Sequence, residues 1–240
     1  MAGHPRRIDL IRHGQSAGNV ANDAAHAARL EELELEIRDM DVPLSDLGCE
    51  QARALGTWMA GVEPDLVVSS PYRRAIDTAR LALEAAGRDR PINSDERLRE
   101  REFGILDRLT RAGIEARHPD QAAARTFLGK MYHRPPGGES WVDVADRVRS
   151  FYRDLRLDHE GEHVVVVAHQ AVILLFRYVL EDLTEEEILA IDAQADVANT
   201  AVTTFEGDGT DAPVLTVFND AAHLPDELTT TRPDVPAGPR

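Results

Sequence analysis

Three places in the chain set a basic or imidazole side chain at or just past the end of a short apolar run, a pattern suited to handling an oxyanion. The first is Arg12-His13-Gly14, which follows Ile8 to Ile11. An imidazole there can serve as a nucleophile, Arg12 can hold two oxygens of a bulky anion, and Gly14 lets that anion approach the backbone. The second is Ser69-Ser70-Pro71-Tyr72-Arg73-Arg74-Ala75 after Leu66 to Ser69, which places a guanidinium in the first turn of a helix whose free N–H groups already favour anions. The third is His169-Gln170 after His163 to Ala168. Taken singly, each has a plainer reading: an ordinary tripeptide, a solvent-facing helix start, or a buried histidine satisfied by a carbonyl.

Between them stands Leu98-Arg99-Glu100-Arg101-Glu102-Phe103-Gly104, with alternating cations and anions before a small turn. A salt-bridged loop has the same composition. A carboxyl beside a bound phosphate could instead donate a proton to a leaving oxygen, provided the anion or burial raises its pKa. The remaining histidines, His4, His26, His118, His133, His159, His163 and His223, match no metal-ligand spacing, and the His-Glu-x-x-His pattern of zinc hydrolases is absent. No metal is expected.

The elements that must position these residues alternate. Strands are expected at Ile8 to Ile11, Leu66 to Ser69, around Ile92, at His163 to Ala168, at Ala201 to Phe205 and at Val214 to Phe218. The four valines from Val164 to Val167 read as a central strand buried on both faces. Helices are expected from the Ser45 cap to about Met59, from Pro71 to about Gly87, over Ser140 to Leu155, over Ala171 to Leu180, and after Thr184. Part of the Ala-, Glu- and Leu-rich stretch Asn19 to Met40 should also be helical. This order predicts a three-layer α/β/α domain around a central, mostly parallel sheet of about six strands, and ligands bind such sheets at the carboxyl ends of the strands. One catalytic domain is expected over residues 1–220, followed by a loosely ordered, proline-containing tail over 221–240.

Composition excludes some partners. The formal net charge of -16 repels nucleic acid and anionic membranes, so neither is expected to bind. In so acidic a chain the few cations must be concentrated where phosphate esters bind. A single cysteine, Cys49, cannot form an internal disulfide, no apolar run approaches the ~20 residues of a membrane span, and no secretory signal opens the chain. The expected location is cytoplasmic.

Read in order, six blocks resemble the histidine phosphatase superfamily, in the branch of cofactor-dependent phosphoglycerate mutases, fructose-2,6-bisphosphatase and broad phosphomonoesterases. They are Leu10-Ile11-Arg12-His13-Gly14-Gln15-Ser16 with Asn19; Pro43-Leu44-Ser45 with Gly48 and Gln51-Ala52; and Ser69-Ser70-Pro71 with Arg74-Ala75. The others are Glu100-Arg101 with Phe103-Gly104, Pro136-Gly137-Gly138-Glu139-Ser140, and Val165 to His169. The resemblance implies a phosphohistidine formed on His13, with one ring nitrogen attacking phosphorus while the other donates to a carbonyl. It implies a cationic cradle of Arg12, Arg74 and His169, and Glu100 as acid and then base. Asn19, Gly14, Ser16, Arg101 and Gln170 would contact phosphate or the rest of the substrate. At that turn Arg74 matches the family position and Arg73 does not.

The sequence departs from the family at Gln15-Ser16, which points away from acid phosphatases, and at Gln170-Ala171-Val172, where many members have glycine. The insertion Ala21 to Met40, near Asn19, could lid the pocket and select the substrate. The implied function is metal-independent hydrolysis of a small phosphorylated metabolite. A phosphoglycerate mutase, needing 2,3-bisphosphoglycerate as cofactor, is the first alternative, and an inactive scaffold that binds a phosphorylated ligand the second. Hydrolysis is favoured because Arg108, Arg111, Arg117, Arg125, Lys130 and Arg134 do not reproduce the mutases' carboxylate-binding segment. A homodimer is the default assembly for the family.

Overall fold

A computed structural model describes residues 3–194 and 196–230. Six strands form one sheet: β1 (Arg7–Arg12), β2 (Leu66–Ser69), β3 (Asn93–Ser94), β4 (His163–Ala168), β5 (Val202–Glu206) and β6 (Val214–Asp220). Their order is β3-β2-β4-β1-β5-β6. β4 is parallel to β1 and β2, β2 is parallel to β3, and β5 is antiparallel to both β1 and β6.

Side-chain alternation along the strands divides the core into two faces. On one, Ile8, Leu10, Val164 and Val166 pack against helices α6 (Trp141–Asp158) and α7 (Gln170–Leu180). On the other, Ile11, Val67, Val165 and Val167 pack against α2 (Asp46–Ala60) and α3 (Arg73–Ala85). All of β4 is buried, as a strand covered by helices on both faces must be. The result is the expected α/β/α layering.

Local chemistry sets the helix starts. The Ser45 hydroxyl accepts the Gly48 N–H at α2, Ser140 caps α6 through the Asp143 N–H, and Ser16 caps α1 (Ala17–Ala28). Two helices escaped the sequence reading: α4 (Arg111–Arg117), capped by Thr110, and α5 (Pro119–Tyr132), with proline in its first turn. A last helix, α8 (Glu185–Gln194), follows Thr184 as expected.

Residues 221–230, the first half of the segment expected to be a loose tail, make specific contacts. Leu224 is buried, a short 3₁₀ turn spans Asp226–Leu228, and Gln51 Nε2 donates to the Leu228 carbonyl and to Thr230 Oγ1. Those two acceptors satisfy the buried Gln51 amide of α2. The remainder of the expected tail, 231–240, lies outside the described residues.

Inside β1, the strand that delivers Arg12 and His13, Asp9 is fully buried. Arg7, His163 and Thr204 all donate to its carboxylate. Burial pushes the Asp9 pKa up, and these hydrogen bonds more than offset it, so it lies below its ordinary value. A depressed carboxyl stabilises the fold above its unfolded pKa and loses that contribution as pH falls through the folded value. Asp9→Asn should therefore cost about 3 kcal/mol at pH 7. In paired thermal melts, the gap from wild type should close as pH is taken well below 4.

Candidate active site

Strand register places the functional side chains on one edge of the sheet. Arg12 is opposite Ala168, and Ser69 is opposite Val167, so His13, Ser70 and His169 all emerge one step beyond their strands at the same end. The His13 N–H donates to the Ala168 carbonyl and the Ser70 N–H to the Val167 carbonyl, which extends the ladder into the site.

His13 is wholly buried and its ring is fixed at both nitrogens. Nδ1 lies 2.6 Å from the Gly14 carbonyl, an acceptor only, so Nδ1 carries the proton. Nε2 is then the lone-pair nitrogen, and it accepts from Arg74 Nε at 3.3 Å. The His169 ring stands edge-on to His13 with centroids 5.1 Å apart, and its Nε2 is 2.8 Å from Ser70 Oγ. His169 is also the N-cap of α7, so the positive end of that helix points into the same space. Arg12 is buried beside them, with Nη1 donating to the Val197 carbonyl.

Glu100 follows a 3₁₀ turn, Glu96–Leu98, and is buried, with Oε1 accepting the Arg101 N–H at 2.8 Å. Its loop is tied to the arginine turn by Tyr72, whose hydroxyl donates to Glu102 at 2.8 Å. Tyr72 packs edge-on to His169 and lies under the Arg74 guanidinium. Burial and the Glu102 carboxylate push the Tyr72 pKa well above its ordinary value, so the phenol keeps its proton and remains a donor.

The expected contact residues divide. The Arg101 guanidinium is committed to the carbonyls of Glu139 and His133, and burial together with nearby Arg125 lowers its pKa to about 10. Ser16 and Asn19 form a reciprocal capping box at α1, with the Asn19 carbonyl oxygen accepting from Ser16. Gln170 Nε2 reaches Asp196 at 3.2 Å. Gly14 is present for packing: a Cβ there would sit 2.6 Å from the Gly48 carbonyl oxygen, while its N–H donates to Thr78 Oγ1. Its smallness admits helix α2.

Residues that no motif announced complete the site. Asn199 Nδ2 donates to the His13 carbonyl, and Thr200, at φ 58°, donates its N–H to the Arg12 carbonyl. A β-branched residue with positive φ is strained, and here the strain wraps the chain around Arg12. Asp39, within the insertion, bonds both terminal nitrogens of Arg74. These partners lie far in sequence from the residues they touch, so spacing carries no trace of them.

Among the described residues no group of three His, Cys, Asp or Glu side chains is placed to hold a metal ion. None of the described helices is long and apolar enough to cross a membrane. The sequence profile of the histidine phosphatase superfamily (branch 1) matches residues 8–221. The chain belongs to that superfamily. Among histidine phosphatase relatives, it is 34% identical over 188 residues to 2,3-bisphosphoglycerate-dependent phosphoglycerate mutase 2 of Gloeobacter violaceus, covering 77% of this chain and 80% of that one. It is 34% identical over 175 residues to glucosyl-3-phosphoglycerate phosphatase of Mycolicibacterium vanbaalenii, covering 70% and 71%. The solved mycobacterial glucosyl-3-phosphoglycerate phosphatase in complex with inorganic phosphate superposes with a TM-score of 0.70 at 30% identity, covering 92% of this chain and all of that one. The α-ribazole phosphatase of Shigella flexneri gives a TM-score of 0.72 at 25% identity, covering 89% and 96%. Membership makes the chain an enzyme of phosphoryl transfer, phosphatase or mutase.

Ser70→Ala tests the least expected support, the hydroxyl against His169. Losing the hydrogen bonds of Ser70 Oγ to His169 and to the Tyr72 N–H should lower kcat/KM roughly tenfold, about 1.4 kcal/mol, with only a small fall in melting temperature. A loss below twofold would show that Ser70 does not position the ring.

Proposed function

We propose that the chain hydrolyses a small phosphomonoester without a metal, through a phosphohistidine on His13. The observation that carries this reading is the fixed tautomer of His13, with Nδ1–H on the Gly14 carbonyl and the Nε2 lone pair beside Arg74 and His169. The Nε2 lone pair attacks phosphorus, and the ester P–O bond breaks with its electrons on the leaving oxygen. Arg12, Arg74 and His169 neutralise the equatorial oxygens, the main electrostatic demand of this transition state. Glu100 gives its proton to the leaving alkoxide. It then takes one from a water that attacks the phosphohistidine, which frees phosphate and restores neutral His13.

A cavity of about 70 Å³ adjoins the Glu100 loop and is lined by Arg101, Arg111, Arg125, His133, Gln121 and Phe103, among others. Burial, with Arg101 and Arg125 next, lowers the His133 pKa, and its Nδ1 is buried with no hydrogen-bond partner among the described residues. This setting supports a substrate with a second anionic group beyond its phosphate. The same cations favour the mutase as second reading, since a rebound intermediate must be held; 2,3-bisphosphoglycerate would then be the cofactor. Hydrolysis stays first because a broad cleft of about 450 Å³, lined by Asp39, Tyr72, Glu102 and Arg108, opens next to Arg74 and admits water. We place the enzyme in the cytoplasm, where a lone cysteine stays reduced.

Phosphate release from an aryl phosphate, 3-phosphoglycerate and fructose bisphosphates, measured with a chelator present, tests the reading. Release should survive chelation and disappear in His13→Ala. Glu100→Gln should slow alkyl esters, which need the proton, at least tenfold more than aryl esters, which do not. Equal losses on both ester types would remove Glu100 from the acid role, and a bisphosphoglycerate-dependent isomerase activity without release would install the mutase.

A further inference from the structure

Arg74, the guanidinium that touches the nucleophile, already has an anion. Asp39 Oδ1 accepts from Nη1 at 2.9 Å, Asp39 Oδ2 accepts from Nη2 at 3.2 Å, and the Asp39 backbone carbonyl accepts from Nη1 at 2.7 Å. The two carboxylate oxygens engage the guanidinium fork as two phosphoryl oxygens would, while Nε still points at His13. The partners differ in exposure, with the Arg74 side chain 2% accessible and that of Asp39 39%. Asp39 therefore reaches in from the cleft side and can withdraw into water. Arg74 cannot leave.

The segment that carries Asp39 is built for this. It is a single 3₁₀ turn, Asp39–Asp41, without a side-chain cap, and its backbone–backbone bonds are the local ones from the Asp41 N–H to Arg38 and from the Val42 N–H to Asp39. Arg38 pairs with Asp41 on the exposed side. The turn is held from behind by Arg108 Nη1 on the Leu35 carbonyl, and past it Pro43 accepts the Ala17 N–H. Leu35 and Pro43 thus bracket a short flap whose bond to the site is Asp39.

We propose that Asp39 is an internal competitor for the phosphate position. Its carboxylate satisfies Arg74 between turnovers, yields the guanidinium to an incoming phosphoryl dianion, and returns to displace product phosphate. The exchange is favourable because a dianion with three oxygens outmatches one carboxylate, and because a half-exposed ion pair is a weak one. A carboxylate left in place beside a bound dianion would repel it, so binding and withdrawal are coupled. The inference rests on the phosphate cradle assigned above, and it gives the 30–42 segment the task of setting KM and product inhibition.

Calorimetric titration of inorganic phosphate into the full chain tests the competition directly. Asp39→Asn and Asp39→Ser should bind phosphate about tenfold more tightly than wild type, since each removes the charge that phosphate must displace. KM for an aryl phosphate should fall by a similar factor. Asp41→Asn, an equal change in net charge two residues away, should leave phosphate affinity within about twofold. Unchanged or weaker binding in both Asp39 variants would overturn the proposal, weaker binding meaning that Asp39 instead holds Arg74 in position. Equal tightening in Asp41→Asn would also overturn it, because a general field would then explain the gain. If neither wild type nor variants bind phosphate, the cradle is misassigned and the proposal falls with the phosphatase reading; if all bind it equally, the proposal falls alone.

Discussion

A guanidinium removed from water must be surrounded by acceptors, and this protein buries two of them, Arg12 and Arg74, around one imidazole. Much of the architecture follows from that demand. Arg12 occupies the last position of a strand inside a mixed sheet, where the backbone fixes its root, and the chain from Val197 to Thr200 bends back to supply a carbonyl at the cost of a strained Thr200. Arg74 projects from the start of α3, over the Tyr72 ring, with the carboxylate of Asp39 closing its outer side. Between the two guanidiniums His13 has no freedom left, because its ring nitrogens and its carbonyl are each engaged.

The cradle and the sheet were legible for one shared reason. Each strand near the site is an apolar run that stops at a polar residue, and the polar residues at or just past these ends meet in the candidate site: Arg12 and His13, Ser70, then His169. Because parallel strands keep a common direction, three such endings in sequence imply one edge in space. Helices α2, α3, α6 and α7 were legible through caps and apolar faces. Helices α4 and α5 were not, although Thr110 and Pro119 mark their starts, because α5 offers little apolar period and leaves Phe127 90% exposed.

What stayed hidden were relations between distant residues. Nothing in the spacing of Ser70 and His169, or of Asp39 and Arg74, indicates that they touch. Two residues of the family pattern also have a packing or capping role that the pattern does not show. Gly14 is glycine because Gly48 passes within contact of its missing side chain, and Ser16 is a cap that Asn19 reciprocates. Such motifs join chemistry and packing at neighbouring positions, and a linear pattern does not separate the two.

The docking of residues 228–230 bears on how the molecule is made. Thr230 donates from its hydroxyl to Asn199 and accepts the Asn199 N–H at its carbonyl, and Asn199 in turn holds the carbonyl of His13. Synthesis is vectorial, so β1 and its histidine emerge from the ribosome more than 200 residues before the group that steadies them. The last strands, β5 and β6, are complete by Asp220. Residues 228–230 are therefore the last of these supports to be made, after every strand of the sheet.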